Sequence, residues 1–225
     1  ISGNTALIDY NIGTETDPSA TNDPVTHTQG AGFPEGFTGG TVEYASGDSG
    51  SALPNGIHLR NLLFIHPQDG ANGYWLCFDE FDATTGGVPA GIAWHPDSTV
   101  YTTVSSNQEY RWDINQYGKN AKFTIFLGTT PSSVSIQNGC TATATARAQK
   151  YMYAKYNTDS AGKKNVVTVL YPHNATHEKA GMARVSGSGF TGASITLGNI
   201  TDYALESTGS STVTNGNVSV KGLAA

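Results

Sequence analysis

The chain has few charged residues. Asp, Glu, Lys and Arg make up 13% of its 225 residues, against roughly 25% in an average globular protein. The net charge is -6, and no run of Lys or Arg forms a basic stripe, so nucleic acid is not an expected partner. Gly, Ser, Thr and Asn take the place of charge in the loops. This profile is typical of a secreted β-protein and predicts an extracellular or periplasmic location.

Other features are missing as well. No apolar run approaches the roughly 20 residues of a membrane span, and helical periodicity is almost absent. We find no nucleophile elbow, phosphate loop, dinucleotide fingerprint or Cys-x-x-Cys motif, so we name no catalytic residue. The chain starts at Ile1 without a visible signal peptide, which indicates a mature, processed or excised chain.

Cysteine is scarce too, since the chain has two, Cys77 and Cys140. In an oxidising compartment they could form a disulfide. The alternative is two buried thiols on different strands.

What the sequence does contain is a succession of short apolar and aromatic runs separated by turn residues. Examples are "IHLRNLLFIHP" and "GYWLCFDEFDA", which the turn "PQDGANG" joins into a hairpin. About a dozen such strands with little or no helix predict an all-β fold, a large antiparallel sandwich of two sheets. We expect one domain over residues 1–225, with a long loop at residues 13–40.

One carboxylate interrupts this pattern. Asp79 lies in the apolar run Tyr74–Ala83, and alternation places it on the same face as Cys77 and Phe81. A buried carboxylate is unfavourable unless it is paired, hydrogen-bonded or bound to a metal. His95 follows about one hairpin later. Asp79 and His95 could be two ligands of a zinc ion, or a simple hydrogen-bonded pair that orders the loop.

Aromatic side chains are the other candidates for function, because flat rings can stack on sugars. Trp94 and Tyr110 are candidates for this role, although most such rings fill the core of a sandwich.

The order of motifs resembles that of the C-terminal β-sandwich region of heparinase II/III-like polysaccharide lyases. The likeness is carried by five stretches that cover nearly the whole chain in the family's order: "GNTALIDYN"; "GTVEYASGD" with "HLRNLLFIHP"; "YWLCFDEF"; "VVTVLYPH"; and "ITDYALES" with "NVSVKGLAA".

The resemblance implies a part of an enzyme that cleaves uronic-acid polysaccharides by β-elimination. In this family a helical toroid supplies most catalytic groups, and zinc in the sandwich is held by a strand Asp and a following His, here Asp79 and His95. Two departures matter: the chain contains no toroid, and Gly3 stands where the family has a His before Asn-Thr. A third zinc ligand would have to come from His58, His66, His27 or Cys77.

Three functions follow from the resemblance. The chain could be the sandwich domain of a secreted lyase, working with a helical toroid domain on an acidic polysaccharide that Arg60 and Arg111 help to bind. It could be a non-catalytic carbohydrate-binding module. It could also be a structural subunit of an extracellular matrix or filament, assembled from identical subunits. In each case the isolated chain is expected to be inactive.

Overall fold

The structure is a computed structural model. It describes residues 5–8, 36–37, 40–50, 53, 55–67, 72–96, 98–114, 120–138, 150–174, 179–207, 212–215 and 218–221. Within these ranges the chain forms strands and no α-helix. None of the described residues belongs to a helix long and apolar enough to cross a membrane.

The strands alternate with short turns along the chain. They are β1 (Thr5–Ile8), β2 (Gly36–Phe37), β3 (Val42–Asp48), β4 (Gly56–Ile65), β5 (Tyr74–Ala83), β6 (Pro89–Trp94), β7 (Tyr101–Ser105), β8 (Glu109–Ile114), β9 (Ala121–Leu127), β10 (Ser133–Asn138), β11 (Lys150–Asn157), β12 (Lys163–Asn174), β13 (Gly181–Gly187), β14 (Phe190–Leu197), β15 (Ile200–Ser207), β16 (Thr212–Asn215) and β17 (Val218–Lys221).

The strands form one long sheet with smaller sheets beside it. The long sheet has eight strands in the order β2-β3-β4-β5-β12-β9-β8-β7. A four-stranded sheet has the order β1-β6-β11-β10, a three-stranded sheet the order β13-β14-β15, and β16 pairs with β17. All described pairings are antiparallel, which confirms the predicted all-β sandwich.

The main core lies between the long sheet and the four-stranded sheet. Trp112 and Ile125 of the long sheet pack there with Ile92 and Met152 of the other sheet, and all four are fully buried. Because side chains alternate along a strand, the sequence neighbours of these core residues in the long sheet point to its opposite face. The long sheet therefore has a second face with its own contacts.

The three-stranded sheet covers part of that second face. Val167 and Val169 of β12 pack against Ala193 and Ile195 of β14. The backbones approach closely here: a Cβ atom on Gly128 would lie 3.1 Å from backbone atoms of Gly192. The three-stranded sheet thus adds a layer to the predicted sandwich.

The hairpin prediction is confirmed, because β4 and β5 pair over ten residues. The sequence pattern does not predict strand β6, because "PAGIAW" is short and rich in small residues. It belongs to the four-stranded sheet, whereas β5 belongs to the long sheet. The sequence suggested that Asp79 and His95 belong to adjacent strands. In the structure Asp79 and the strand before His95 belong to different sheets.

Two other expectations fall largely outside the described residues. Of the predicted loop 13–40, the structure describes residues 36, 37 and 40, and Gly36–Phe37 forms β2. Cys77 is a free, buried thiol, in agreement with the second of the two cysteine alternatives, while Cys140 lies outside the described residues.

A second carboxylate is buried where the three-stranded sheet meets the long sheet. Oε2 of Glu206 on β15 is shielded from solvent and has no hydrogen-bond partner among the described residues. Burial, with the nearby carboxylates of Glu80 and Asp79, raises the pKa of Glu206 well above its ordinary value of 4.5. The folded state therefore holds this proton more tightly than the unfolded chain.

We predict that Glu206 makes stability fall as pH rises above about 4.5, up to the folded-state pKa, because the unfolded chain binds fewer protons in that window. For one proton the slope is at most about 1.4 kcal/mol per pH unit. In urea unfolding from pH 4.5 to 8, Glu206→Gln should flatten this slope. The control Glu43→Gln changes a partly exposed carboxylate paired with His66 and should leave it intact. An unchanged slope in Glu206→Gln would contradict the assignment.

Candidate functional site

The carboxylate of Asp79 is fully buried and paired within the chain. Its Oδ1 accepts hydrogen bonds from Nε of Arg60 at 2.6 Å and lies 2.7 Å from Nε2 of His58. Arg60 is directly opposite Asp79 in the β4–β5 pairing. His58 lies two residues before Arg60, so alternation brings both side chains to the same face.

Arg60 also connects the two large sheets. Its guanidinium carbon lies 4.7 Å from the ring centroid of Trp94 on β6, a distance at which a cation is attracted to an aromatic face. The ring of His58 stacks on Phe81 with centroids 4.9 Å apart. The cluster of Asp79, Arg60 and His58 is therefore enclosed by aromatic rings in the core.

The electrostatics of this cluster favour the ionised carboxylate. Burial alone would raise the pKa of Asp79, but the charge of Arg60 and the hydrogen bond with His58 outweigh burial, so its pKa is lowered. For Arg60, burial lowers the pKa, and the Asp79 carboxylate more than offsets it. The two groups thus form a buried ion pair.

These residues do not fit a zinc site. Asp79 is already neutralised by Arg60, whose charge opposes a divalent cation beside the same oxygen. One histidine, His58, reaches Asp79, whereas the ring of His95 stacks on Tyr151 at 4.6 Å, and burial lowers the pKa of His95 to about 4. The described residues contain no group of three or more His, Cys, Asp or Glu side chains that could hold a metal ion. The Asp79–His95 zinc pair stays a prediction that this geometry does not support.

Three of the four predicted sugar-binding residues lie inside the sandwich. Trp94 and Tyr110 are each 4% exposed and belong to the main core, and Arg60 is occupied by Asp79 and Trp94. We therefore assign these three a structural role. Arg111 differs, because it lies between Tyr110 and Trp112 in sequence and so points to the second face of the long sheet.

Around Arg111 the second face carries a group of basic side chains, which we call the basic cluster: Arg111, Lys122, His173 and Lys179. The β-sheet register places Arg111 opposite Thr124, and both Asp113 and His173 opposite Lys122. The cluster is thus formed by β8, β9 and β12, with Lys179 just before β13.

The carboxylates in this region are already paired. Lys122 binds Asp113 at 2.7 Å, and Lys179 forms an ion pair with Glu109. Arg111 makes no ion pair with any described residue, and its Nε is buried without a hydrogen-bond partner among them. The charge of Arg111 is therefore not balanced by an ion pair within the described part of the chain.

His173 shows that the cations of this cluster act on one another. Its Nε2 lies 2.9 Å from Oγ1 of Thr124. Burial lowers the pKa of His173, and the charges of Arg111, Lys179 and Lys122 lower it further against the opposing effect of Glu109. Three cations, Arg111, Lys122 and Lys179, stand against the two carboxylates that pair with the lysines, so the cluster keeps a net positive charge.

Sequence reasoning missed part of both clusters. The predicted hairpin contains the signal for pairing His58 and Arg60 with Asp79. Once its turn is fixed, each residue of β4 has a defined partner on β5, and Arg60 is then opposite Asp79. Lys179 could not have been found this way, because it approaches Glu109 only through packing of the three-stranded sheet.

Comparison with known proteins identifies similar folds but assigns the chain to no family. No protein-family model matches the chain, and no curated protein matches it. Among solved structures it is similar to the heparan sulfate lyase HepC from Pedobacter heparinus, with a TM-score of 0.60 and 15% identity over 79% of this chain and 28% of that one. It is also similar to a heparinase III, with a TM-score of 0.58 and 10% identity over 79% of this chain and 27% of that one.

At such low identity the likeness shows the fold alone. It confirms that this sandwich has the architecture of a part of the heparinase-type lyases, as the motif order suggested. The chain spans 28% of the length of HepC, so the similarity concerns one part of that enzyme.

We predict that Asp79→Asn lowers the free energy of unfolding at pH 7 by about 3 kcal/mol, because Arg60 would be left as a buried charge without a partner. The contribution of ionised Asp79 to the free energy of unfolding is present above the ordinary pKa of 3.8. It is lost as pH falls through the lowered pKa of the folded state. Guanidinium unfolding at pH 7 measures the loss, and titration below pH 4 measures the window.

The matched control is Asp82→Asn. Asp82 is also on β5, but its side chain is half exposed and paired with Lys163, so its loss should be below about 1 kcal/mol. Equal losses in the two variants would contradict a special role for Asp79.

Proposed function

We propose that this chain is the β-sandwich part of a secreted polysaccharide lyase acting on uronic-acid-containing glycans. In this proposal it binds the acidic polysaccharide outside the cell or in the periplasm. The proton-transfer groups come from a helical toroid domain, so the isolated chain is not catalytic.

The fold supports the lyase part of the proposal. Both similar structures are named as enzymes of heparin-type glycans, one of them as a heparan sulfate lyase. The chain corresponds to 28% of the length of HepC, which leaves most of such an enzyme to supply the reacting groups. The chain also has Gly3 where the family has a histidine, so it lacks the imidazole of that position.

The observation that carries the binding part is the unpaired guanidinium of Arg111. A uronic acid presents a planar carboxylate, and a sulfated glycan presents further anionic oxygens. A guanidinium binds either group through two parallel hydrogen bonds. Lys122 and Lys179 lie in the same cluster and are 30% and 28% exposed. They extend the positive surface that a polyanion would follow.

β-Elimination also requires neutralisation of the sugar carboxylate and a base at the neighbouring carbon. Arg111 is suited to the first requirement because the planar fork of a guanidinium matches the geometry of a carboxylate. In our proposal it holds the glycan, while the base belongs to the toroid.

We predict that the isolated chain binds heparan sulfate, alginate or glucuronan without forming the unsaturated product that absorbs in the ultraviolet. Arg111→Gln should weaken binding about tenfold, the value of a lost charge-assisted pair. Titration calorimetry at two salt concentrations measures the affinity, and added salt should weaken it.

Lys163→Gln is the matched control, since it removes one positive charge at the opposite end of β12, where Lys163 pairs with Asp82. It should leave affinity almost unchanged. An equal effect of both variants would contradict a site at Arg111. Product formation by the isolated chain would contradict the division of roles with a toroid.

A structural role in an assembly is the second candidate, and the edge of the long sheet favours it. All five residues of β7 are exposed, among them Tyr101 at 38% and Val104 at 48%. Such an edge can pair with a strand of another subunit, although a register shift between Thr103 and Ser105 interrupts it.

If this edge assembles subunits, light scattering after size exclusion should show an oligomer at micromolar concentration. Val104→Lys should dissociate it by placing a charge at the edge. A monomer at every concentration would exclude assembly through β7.

A further inference from the structure

A cavity lies away from the basic cluster, between the long sheet and the three-stranded sheet. Its volume is about 760 Å³, within the range of small-molecule sites. It is formed mainly by β4 and β5 on one side and by β14 and β15 on the other.

The walls of this cavity are mostly apolar. Leu63 and Leu76 line it from the long sheet, and Ile195 and Leu197 line it from β14. An acidic polysaccharide gains little from such walls, because its hydroxyl and carboxylate groups would lose water without new partners. The chemistry of the cavity thus differs from that of the Arg111 site.

One carboxylate gives the cavity a polar end. Tyr74 donates a hydrogen bond from its hydroxyl to Oδ2 of Asp202 at 2.6 Å. The other carboxylate oxygen of Asp202 accepts no hydrogen bond from a described residue. The ring of Tyr74 stacks on Tyr171 with centroids 5.8 Å apart, and both rings line the cavity. A carboxylate beside aromatic faces attracts an organic cation.

The lining contains no second acidic side chain and no Lys or Arg that would repel a cation. His66 also lines the cavity, and its Nε2 lies 3.3 Å from Oε1 of Glu43. The local charge is therefore negative at the Asp202 end.

Apolar side chains are exposed at the same place. Ile200 is 56% exposed and Tyr203 is 44% exposed, and both line the cavity. Large exposed hydrophobic side chains beside an apolar cavity are typical of a ligand entrance.

We propose that this cavity binds a small amphipathic amine, with the ammonium group at Asp202 and an apolar or aromatic body between the two sheets. This site is separate from the glycan surface and does not depend on the proposed lyase role. The ammonium donates to the open oxygen of Asp202, while the body displaces water from Leu76 and Ile195.

Phenethylamine is the probe, and phenylacetate is its counterpart with a similar shape and the opposite charge. In a titration followed by amide chemical shifts of the ¹⁵N-labelled chain, phenethylamine should bind saturably and shift resonances of β5, β14 and β15. Phenylacetate should bind at least about tenfold more weakly, since Asp202 repels it. No saturable binding of phenethylamine, or equal binding of both probes, would overturn the proposal.

Asp202→Asn should weaken phenethylamine binding about tenfold while retaining the shape of the site. Asp82→Asn makes the same charge change at a half-exposed pair outside the cavity and should leave binding intact. Tyr203→Ala is a second test, because this exposed side chain is removed without opening the core, and it should also weaken binding. Unchanged affinity in both Asp202→Asn and Tyr203→Ala would place the probe elsewhere.

Discussion

The ion pair of Asp79 and Arg60 is the constraint on which the rest of this fold depends. A charge in the core of a sandwich is tolerated only with an opposite charge and further hydrogen bonds beside it, and the β4–β5 register supplies both. A slip of that register by one residue would turn Arg60 to the other face. The contact of Arg60 with Trp94 extends the constraint to the facing sheet.

One face of the long sheet is closed in this way, and both proposed binding sites lie on the other face. That second face carries the basic cluster at β8, β9 and β12, and the cavity beneath the three-stranded sheet. The two places differ in chemistry, since one has a cation without an ion pair among the described residues and the other has a carboxylate beside aromatic rings. The fold thus separates a structural charge in the core from the charges of the second face.

The sequence predicted the local elements well, because alternation and turn chemistry act over short distances. It placed Asp79 inside and joined β4 to β5, and both features are confirmed. It failed where the outcome depends on which sheet a strand joins. The short sequence of β6 gives no strand signal, and proximity in sequence favours His95 as the partner of Asp79, whereas the structure places His58 and Arg60 beside it.

The same limit explains the remaining sites. An aromatic side chain can be in the core or on the surface, so the residue types of Trp94 and Tyr110 did not determine their location. Packing of the two sheets places both in the core. Arg111 is a candidate because a chain with a net charge of -6 needs local positive charge to bind an acidic glycan, and this stays a prediction. Asp202 gave no signal, since its role arises only when β15 approaches Tyr74, 128 residues away in sequence.

Asp79 is in the core to pair with Arg60, and a double-mutant cycle of Asp79→Asn and Arg60→Met measures this pairing through the free energy of unfolding at pH 7. We expect a coupling energy of about 3 kcal/mol, with the double variant no less stable than Asp79→Asn alone. Losses that add to within about 0.5 kcal/mol would instead show that the two residues act independently.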